Sequence, residues 1–132
     1  MELKEALEKQ LSFCVTNPGY KCGVYVKNGK KIKRVIDYIK DFELILKNDA
    51  IMIVTNRWES FVELKNGSRI RISIASENCR GQRHNGAIID KDIDYQILSN
   101  IIFPKFIPMR NYETEQFEPW ENVTKRVFYV WI

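Results

Sequence analysis

Ile32, Val35, Ile36, Ile39, Phe42, Ile45 and Leu46 recur at steps of three and four residues, the strongest periodicity in the chain. Side chains at those steps share one face of a 3.6-residue helix, so the stretch predicts an amphipathic helix about four turns long. A turn at Asn28-Gly29 precedes it and Asn48-Asp49 closes it. Leu3, Ala6, Leu7, Gln10, Leu11 and Cys14 repeat the period nearer the start, predicting a second helix over about residues 2–14 that Asn17-Pro18-Gly19 stops. Two helices with one apolar face each need a further layer to cover them.

The rest of the chain supplies that layer. Cys22 to Val26 and Ile51 to Thr55 read as short strands, and Trp58 to Leu64 with Arg69 to Ala75 reads as a hairpin around Asn66-Gly67-Ser68. A three-residue loop is expected, a type I turn plus glycine bulge with Gly67 near positive φ. The expected register sets Leu64 opposite Ile70, Val62 opposite Ile72 and Glu63 opposite Arg71, keeping apolar residues on one face and pairing charges on the other. Ser76 to Asn85 is a polar, glycine-containing loop, and Gly86 to Asp90 a short buried strand ending in an acid. Asp92 or Asp94 is placed to cap a short helix through Leu98, the Pro104 and Pro108 segment to be irregular or edge structure, and Arg126 to Ile132 to be a strand tied into a sheet. The sum is an α/β (α+β) fold: a small mixed, largely antiparallel sheet with two amphipathic helices packed on it.

With 132 residues, 45% of them hydrophobic, the chain fits one domain spanning 1–132 with a single core. No stretch approaches ~18 uncharged apolar residues, and Met1-Glu2-Leu3-Lys4-Glu5 has no signal-peptide pattern, so a cytosolic protein that avoids the membrane is expected. Cys14, Cys22 and Cys79 are odd in number with no C-x-x-C spacing, which predicts three reduced thiols and neither a disulfide framework nor a zinc site. Net charge is +4, unevenly spread. Lys27, Lys30, Lys31, Lys33, Arg34, Arg57, Arg69, Arg71, Arg80 and Arg83 load the first two-thirds, and Glu113, Glu115, Glu118 and Glu121 make the tail acidic. A basic body favours phosphate-bearing partners.

The hairpin around Asn66-Gly67-Ser68, then Arg80-Gly81-Gln82-Arg83, then Gly86-Ala87-Ile88-Ile89-Asp90, resembles the centre of phage terminase large-subunit ATPases. In those enzymes a strand and N-G-S turn lead to a second strand, an R-G-x-R loop and a strand ending in the acidic Walker B pair. The departures concern hydrolysis. Between Gly23 and Gly29 stand five residues where a P-loop has four, Lys31 occupies the place of the metal-binding hydroxyl, and Lys91 follows Asp90 where a second carboxylate belongs. His84, the sole histidine, has no serine in a G-x-S-x-G elbow to serve, and Asp90, Asp92 and Asp94 fit a strand end and helix cap. The expectation is therefore a protein that is not an enzyme, needs no cofactor and binds no metal.

Arginine chelates phosphate through two parallel N–H bonds, and a neighbouring aromatic ring gives a base a face to stack on. Arg57-Trp58 and Arg110-Asn111-Tyr112 place such pairs within two residues, and the loop carrying Arg80, Arg83, His84 and Asn85 is expected beside the carboxyl end of a strand. These eight residues, Arg57, Trp58, Arg80, Arg83, His84, Asn85, Arg110 and Tyr112, form the candidate ligand set. On Arg57, Arg110, Tyr112 and its size, the chain is similar to the phage Thoeris anti-defence proteins. That resemblance implies a sponge for a nucleotide-type signal, a cyclic ADP-ribose isomer or cyclic nucleotide, bound between protomers of a homo-oligomer in the host cytoplasm. Two other functions fit the same residues. One is a phage accessory protein that binds nucleic acid, and the other is an inhibitor of a host defence enzyme, of anti-CRISPR type, using the acidic tail around Trp120.

Overall fold

The computed structural model describes residues 1–42, 52–55, 60–76, 83–111 and 113–132. Helix α1 spans Leu3–Thr16, strand β1 Lys21–Val26 and helix α2 Gly29–Phe42. Strands β2 (Met52–Thr55), β3 (Ser60–Glu63), β4 (Arg69–Ile74) and β5 (Gly86–Asp90) follow. A helical turn α3 (Tyr95–Ile97) runs on as a π turn, Leu98–Ile102, and a 3-10 turn, Phe103–Lys105. A ribbon of β6 (Arg110–Asn111) and β7 (Gln116–Phe117), helix α4 (Trp120–Lys125) and strand β8 (Val127–Val130) complete the chain. The expected ends of α2 at Ile45 and Leu46, its closing Asn48-Asp49, the start of β2 at Ile51 and the start of β3 at Trp58 lie outside the described residues.

The two predicted helices pack on a mixed six-stranded sheet ordered β2-β3-β4-β1-β5-β8. Pairs β4-β1, β1-β5 and β5-β8 are parallel, and β2-β3 and β3-β4 antiparallel, so parallel pairing is in the majority. After α2 the chain enters the sheet at its edge as β2, and β3 and β4 build inward until β4 lies parallel to β1; a strand flanked by parallel neighbours and covered on both faces is apolar throughout. β1 meets that condition, with Cys22 to Val26 all buried.

Against one sheet face lie Leu7, Leu11 and Cys14 of α1 and Val35, Ile36 and Ile39 of α2, over Cys22, Val24, Ile70, Ile72, Ile88 and Val130. Gln10 interrupts the α1 stripe yet is fully buried. It donates to the carbonyls of Arg126 (2.7 Å) and Ala87 (3.2 Å), and its Oε1 accepts from the Tyr20 hydroxyl (2.8 Å). One side chain thus joins α1 to β5 and to the residue leading into β8. Among the described residues, the cover on the other sheet face is Ile93, Ile102, Phe106 and Val123, which pack on Tyr25, Ala87 and Ile89.

The hairpin turn forms as expected, but the register is two residues away from the expectation. The Gly67 amide donates to the Leu64 carbonyl (3.0 Å), the Leu64 amide to the Ser68 carbonyl (2.9 Å), and Gly67 has φ +86°. A loop of Lys65-Asn66-Gly67 sets Leu64 opposite Ser68, so Val62 faces Ile70, Glu63 faces Arg69 and Phe61 faces Arg71. A two-residue slip leaves every side chain on its own face, which is why alternation could not detect it. The ion pair across the hairpin is therefore Glu63 with Arg69, at 3.8 Å. The turn also closes the end of α1: Asn66 Nδ2 and Ser68 Oγ both donate to the Cys14 carbonyl, at 2.7 and 2.8 Å. That carbonyl is one of those a helix end leaves without partners. Asp94 stands at the start of α3 without a side-chain cap bond, and helical turns continue through Lys105, beyond the expected stop at Leu98 and through Pro104.

Among the described residues, no helix is long and apolar enough to cross a membrane. Cys14 and Cys22 are buried free thiols, and burial pushes Cys14 up to about 12. Cys79 lies outside the described residues.

Candidate functional site

Strand register builds a row of residues across this second sheet face. Phe61 of β3 faces Arg71 of β4, Arg71 faces Gly23 of β1, and Gly23 faces Ala87 of β5. Cross-strand partners project to the same side, so Arg71 rises next to the gap that Gly23 leaves. The ring of His84 fills that gap. A β-carbon on Gly23 would stand 2.7 Å from His84 Nε2 and 2.8 Å from Cδ2. A glycine inside a buried strand often marks such a close approach.

His84 is held from both sides along its backbone. Its amide donates to the Lys105 carbonyl (2.9 Å), and its carbonyl accepts from the Ile107 amide (2.8 Å). The ring is 3% exposed. Nε2 lies 2.5 Å from the Tyr25 hydroxyl, and Nδ1 is buried with no hydrogen-bond partner. Burial first, then the positive charges of Lys105 and Arg71, push the imidazole down to about 4, so it is neutral at pH 7. Leaving a buried polar nitrogen without a partner costs on the order of 1–3 kcal/mol.

Two cations flank this ring. The Lys105 ammonium lies over the Tyr25 ring, 5.8 Å from its centroid. Arg71 is half-buried on an inner strand and forms no ion pair among the described residues. Its neighbour Arg69 is differently placed, with its guanidinium 4.0 Å from the Phe61 ring centroid and paired with Glu63. A guanidinium half out of water with no counter-charge is what an anion-binding site needs, since part of the desolvation is already met in the fold.

The described members of the sequence-derived set do not all converge. His84 turns onto the sheet face, and Arg83 beside it is exposed. Asn85 turns the other way, into a groove of about 960 Å³ that Lys21, Met109, Arg110 and Phe117 also line. Its amide is committed to structure, with Oδ1 accepting from the Lys21 amide (3.0 Å) and Nδ2 donating to the Ile107 carbonyl (3.2 Å). Asn85 is thus not free to read a base edge. Arg110 is exposed on the ribbon. Arg57, Trp58, Arg80 and Tyr112 lie outside the described residues. Sequence reasoning missed the parts of the His84 site contributed by Gly23, Tyr25, Arg71 and Lys105, which come together through register and packing.

Asp90, at the carboxyl end of β5, is fully buried. Its Oδ2 accepts from the Lys31 ammonium (2.7 Å) and the Lys27 amide (3.0 Å), and its Oδ1 from the Asp92 amide (3.2 Å). Burial pushes this carboxyl up, but the bonds from Lys31, Asp92 and Lys27 outweigh it and hold the group below the usual carboxylate value. Lys31 is the side chain that neutralises this acid. Among the described residues, no group of three His, Cys, Asp or Glu side chains is gathered as a metal site.

No family model, curated protein or solved structure matches the chain.

Proposed function

We propose that the protein is a non-catalytic binder of an anionic, nucleotide-type ligand, with a cyclic ADP-ribose isomer or cyclic nucleotide as the expected class. The observation that carries this reading is Arg71, a half-buried guanidinium with no carboxylate partner among the described residues, beside a neutral, buried histidine. The state of Asp90 supports the non-catalytic part. A carboxylate already accepting from an ammonium and two amides is poorly suited to position water or magnesium. A terminase-like segment stripped of its hydrolytic groups, together with the likeness to Thoeris anti-defence proteins, supports a phage-encoded sponge acting as a homo-oligomer.

Native mass spectrometry and calorimetry with ADP-ribose, cyclic ADP-ribose, cyclic AMP and ADP test it. The expected result is saturable uptake of at least one of them at micromolar or lower concentration, with the compound recovered intact on heating. Uptake of none, or turnover of any, overturns the reading. A polymer is the second reading, favoured by the outer face of α2, where Lys30, Lys33, Arg34 and Lys40 are all exposed. It predicts DNA affinity that falls steeply with salt and is lost when those four are neutralised.

A further inference from the structure

We infer that His84 gives its Nδ1 proton as a hydrogen bond to a phosphoryl oxygen whose group is held by Arg71, so the sheet face beside the His84 ring takes the phosphate-bearing part of the ligand. The inference rests on the binding reading above and specifies which atoms do the binding.

Three observations lead to it. The first is the tautomer. An imidazole nitrogen is a better acceptor than a phenolic oxygen, so the 2.5 Å contact is read as the Tyr25 hydroxyl donating to Nε2. A neutral imidazole carries one N–H, which then sits on Nδ1, the nitrogen that is buried without a partner. The site therefore offers a donor that needs an acceptor.

The second is charge. Burial first, and then the charges of Lys105 and Arg71, disfavour the ring's cation. An acceptor entering between these groups is stabilised if it is anionic. A neutral histidine can donate to that anion without itself carrying a positive charge.

The third is donor count and direction. Arg71 supplies a planar fork that satisfies two oxygens, and His84 rises from the neighbouring position in the row, over Gly23. A carboxylate has two oxygens, and the fork alone would occupy both. A pyrophosphate group has four non-bridging oxygens on two phosphorus atoms, so one beyond the pair held by the fork is left to meet Nδ1–H. Glycine at position 23 is a condition of this geometry, since a β-carbon there would push the ring off the strand.

His84 is the only histidine in the chain, so a single pair of ring-nitrogen signals reports on the site. The experiment is two-bond proton–nitrogen correlation NMR on the full chain labelled with nitrogen-15 histidine, titrated with pyrophosphate and ADP-ribose, and with adenosine and acetate as counter-probes. Expected is an Nδ1–H tautomer in the free protein. Pyrophosphate and ADP-ribose should move Nδ1 saturably, whereas adenosine and acetate should leave it in place. Arg71→Gln should weaken pyrophosphate at least tenfold. His84→Gln, which can keep a polar group toward Tyr25 but removes the Nδ1 donor, should weaken it similarly, whereas His84→Asn, whose amide N–H falls near Nδ1, should retain more affinity.

An Nε2–H tautomer in the free protein overturns the inference, and that measurement needs no variant to fold. So does calorimetric binding of pyrophosphate with no movement of Nδ1, or with Arg71→Gln unaffected, and in those cases the broader binding reading stands. If adenosine binds and pyrophosphate does not, the phosphate assignment fails while ligand binding survives. If none of these probes binds, the phosphate assignment falls, and the binding reading falls with it only if cyclic ADP-ribose, cyclic AMP and ADP are refused as well.

Discussion

Replacing Asp90 by asparagine separates a structural acid from a catalytic one. An amide can keep one oxygen facing the Lys27 amide and the Lys31 ammonium, but its NH2 then confronts the Asp92 N–H, which loses its acceptor. The ion pair disappears as well. Removing one partner of a buried pair typically costs ~3–5 kcal/mol. The Asp90 side chain is fully buried, but that of Lys31 retains 19% exposure and can be partly rehydrated, which places the loss at the lower end, about 3 kcal/mol. Urea unfolding of wild type and Asp90→Asn at pH 7 should show that difference in midpoint with an unchanged slope. Because the folded-state pKa of Asp90 is lowered, its contribution is fully present above the unfolded carboxyl value of roughly 3.9 and is lost as pH falls through the lowered value. The gap between wild type and variant should thus be constant from about pH 5 to 8 and close in stronger acid. A double-mutant cycle with Lys31→Met should return a coupling above about 1 kcal/mol. A loss under about 0.5 kcal/mol at pH 7 would refute the structural assignment. A metal-dependent nucleotide hydrolysis abolished by the same substitution would instead refute the non-catalytic reading.

Gln10→Leu should cost about 3 kcal/mol in the same assay, because it removes three buried hydrogen bonds and leaves the Tyr20 hydroxyl without an acceptor; a cost below about 1 kcal/mol would mean those bonds carry little. Gly67→Ala should cost only about 1 kcal/mol, since φ is +86° but the nearest atom to a new β-carbon, the Gly19 nitrogen, is 4.0 Å away; thermal unfolding checks it, and a stabilised variant would contradict the turn assignment. Gly23→Ala should cost about 1–3 kcal/mol through overpacking and shift both His84 ring-nitrogen signals, and unchanged signals would show that the ring does not lie over β1.

Local patterns in this chain predicted local structure. The steps of three and four that mark Leu3 to Cys14 and Val35 to Phe42 are set by the face each helix buries, and both helices form with those residues inside. Gly86 to Asp90 forms a strand with the expected boundaries, since an apolar run that short, ended by an acid, has few alternatives. Strand direction is different in kind. Adjacent strands joined by a tight turn, β3 and β4, must be antiparallel, and sequence alone shows it. The pairing of β1 with both β4 and β5 depends on where α2 returns the chain, and no residue within β1 encodes that.

The candidate site was hidden for the same reason. Pairing each arginine with the nearest aromatic in sequence selected Arg57-Trp58 and Arg110-Tyr112, whereas the cluster around His84 draws on β1, β4 and the turn ending at Lys105, segments far apart in the chain. One signal was nevertheless present. Arg69-Ile70-Arg71-Ile72 alternates strictly, which demands that one face of its strand meet something other than apolar packing. β4 has neighbours on both edges, so that polar face is a sheet surface and not a sheet edge. β1 beside it is buried from Cys22 to Val26. Among the described residues, the covering cluster reaches the position where β1 carries glycine and the ring of His84 lies against it. A boundary where a buried donor meets a half-buried cation is where an anionic ligand gains most from both, because water is excluded on one side and charge is supplied on the other.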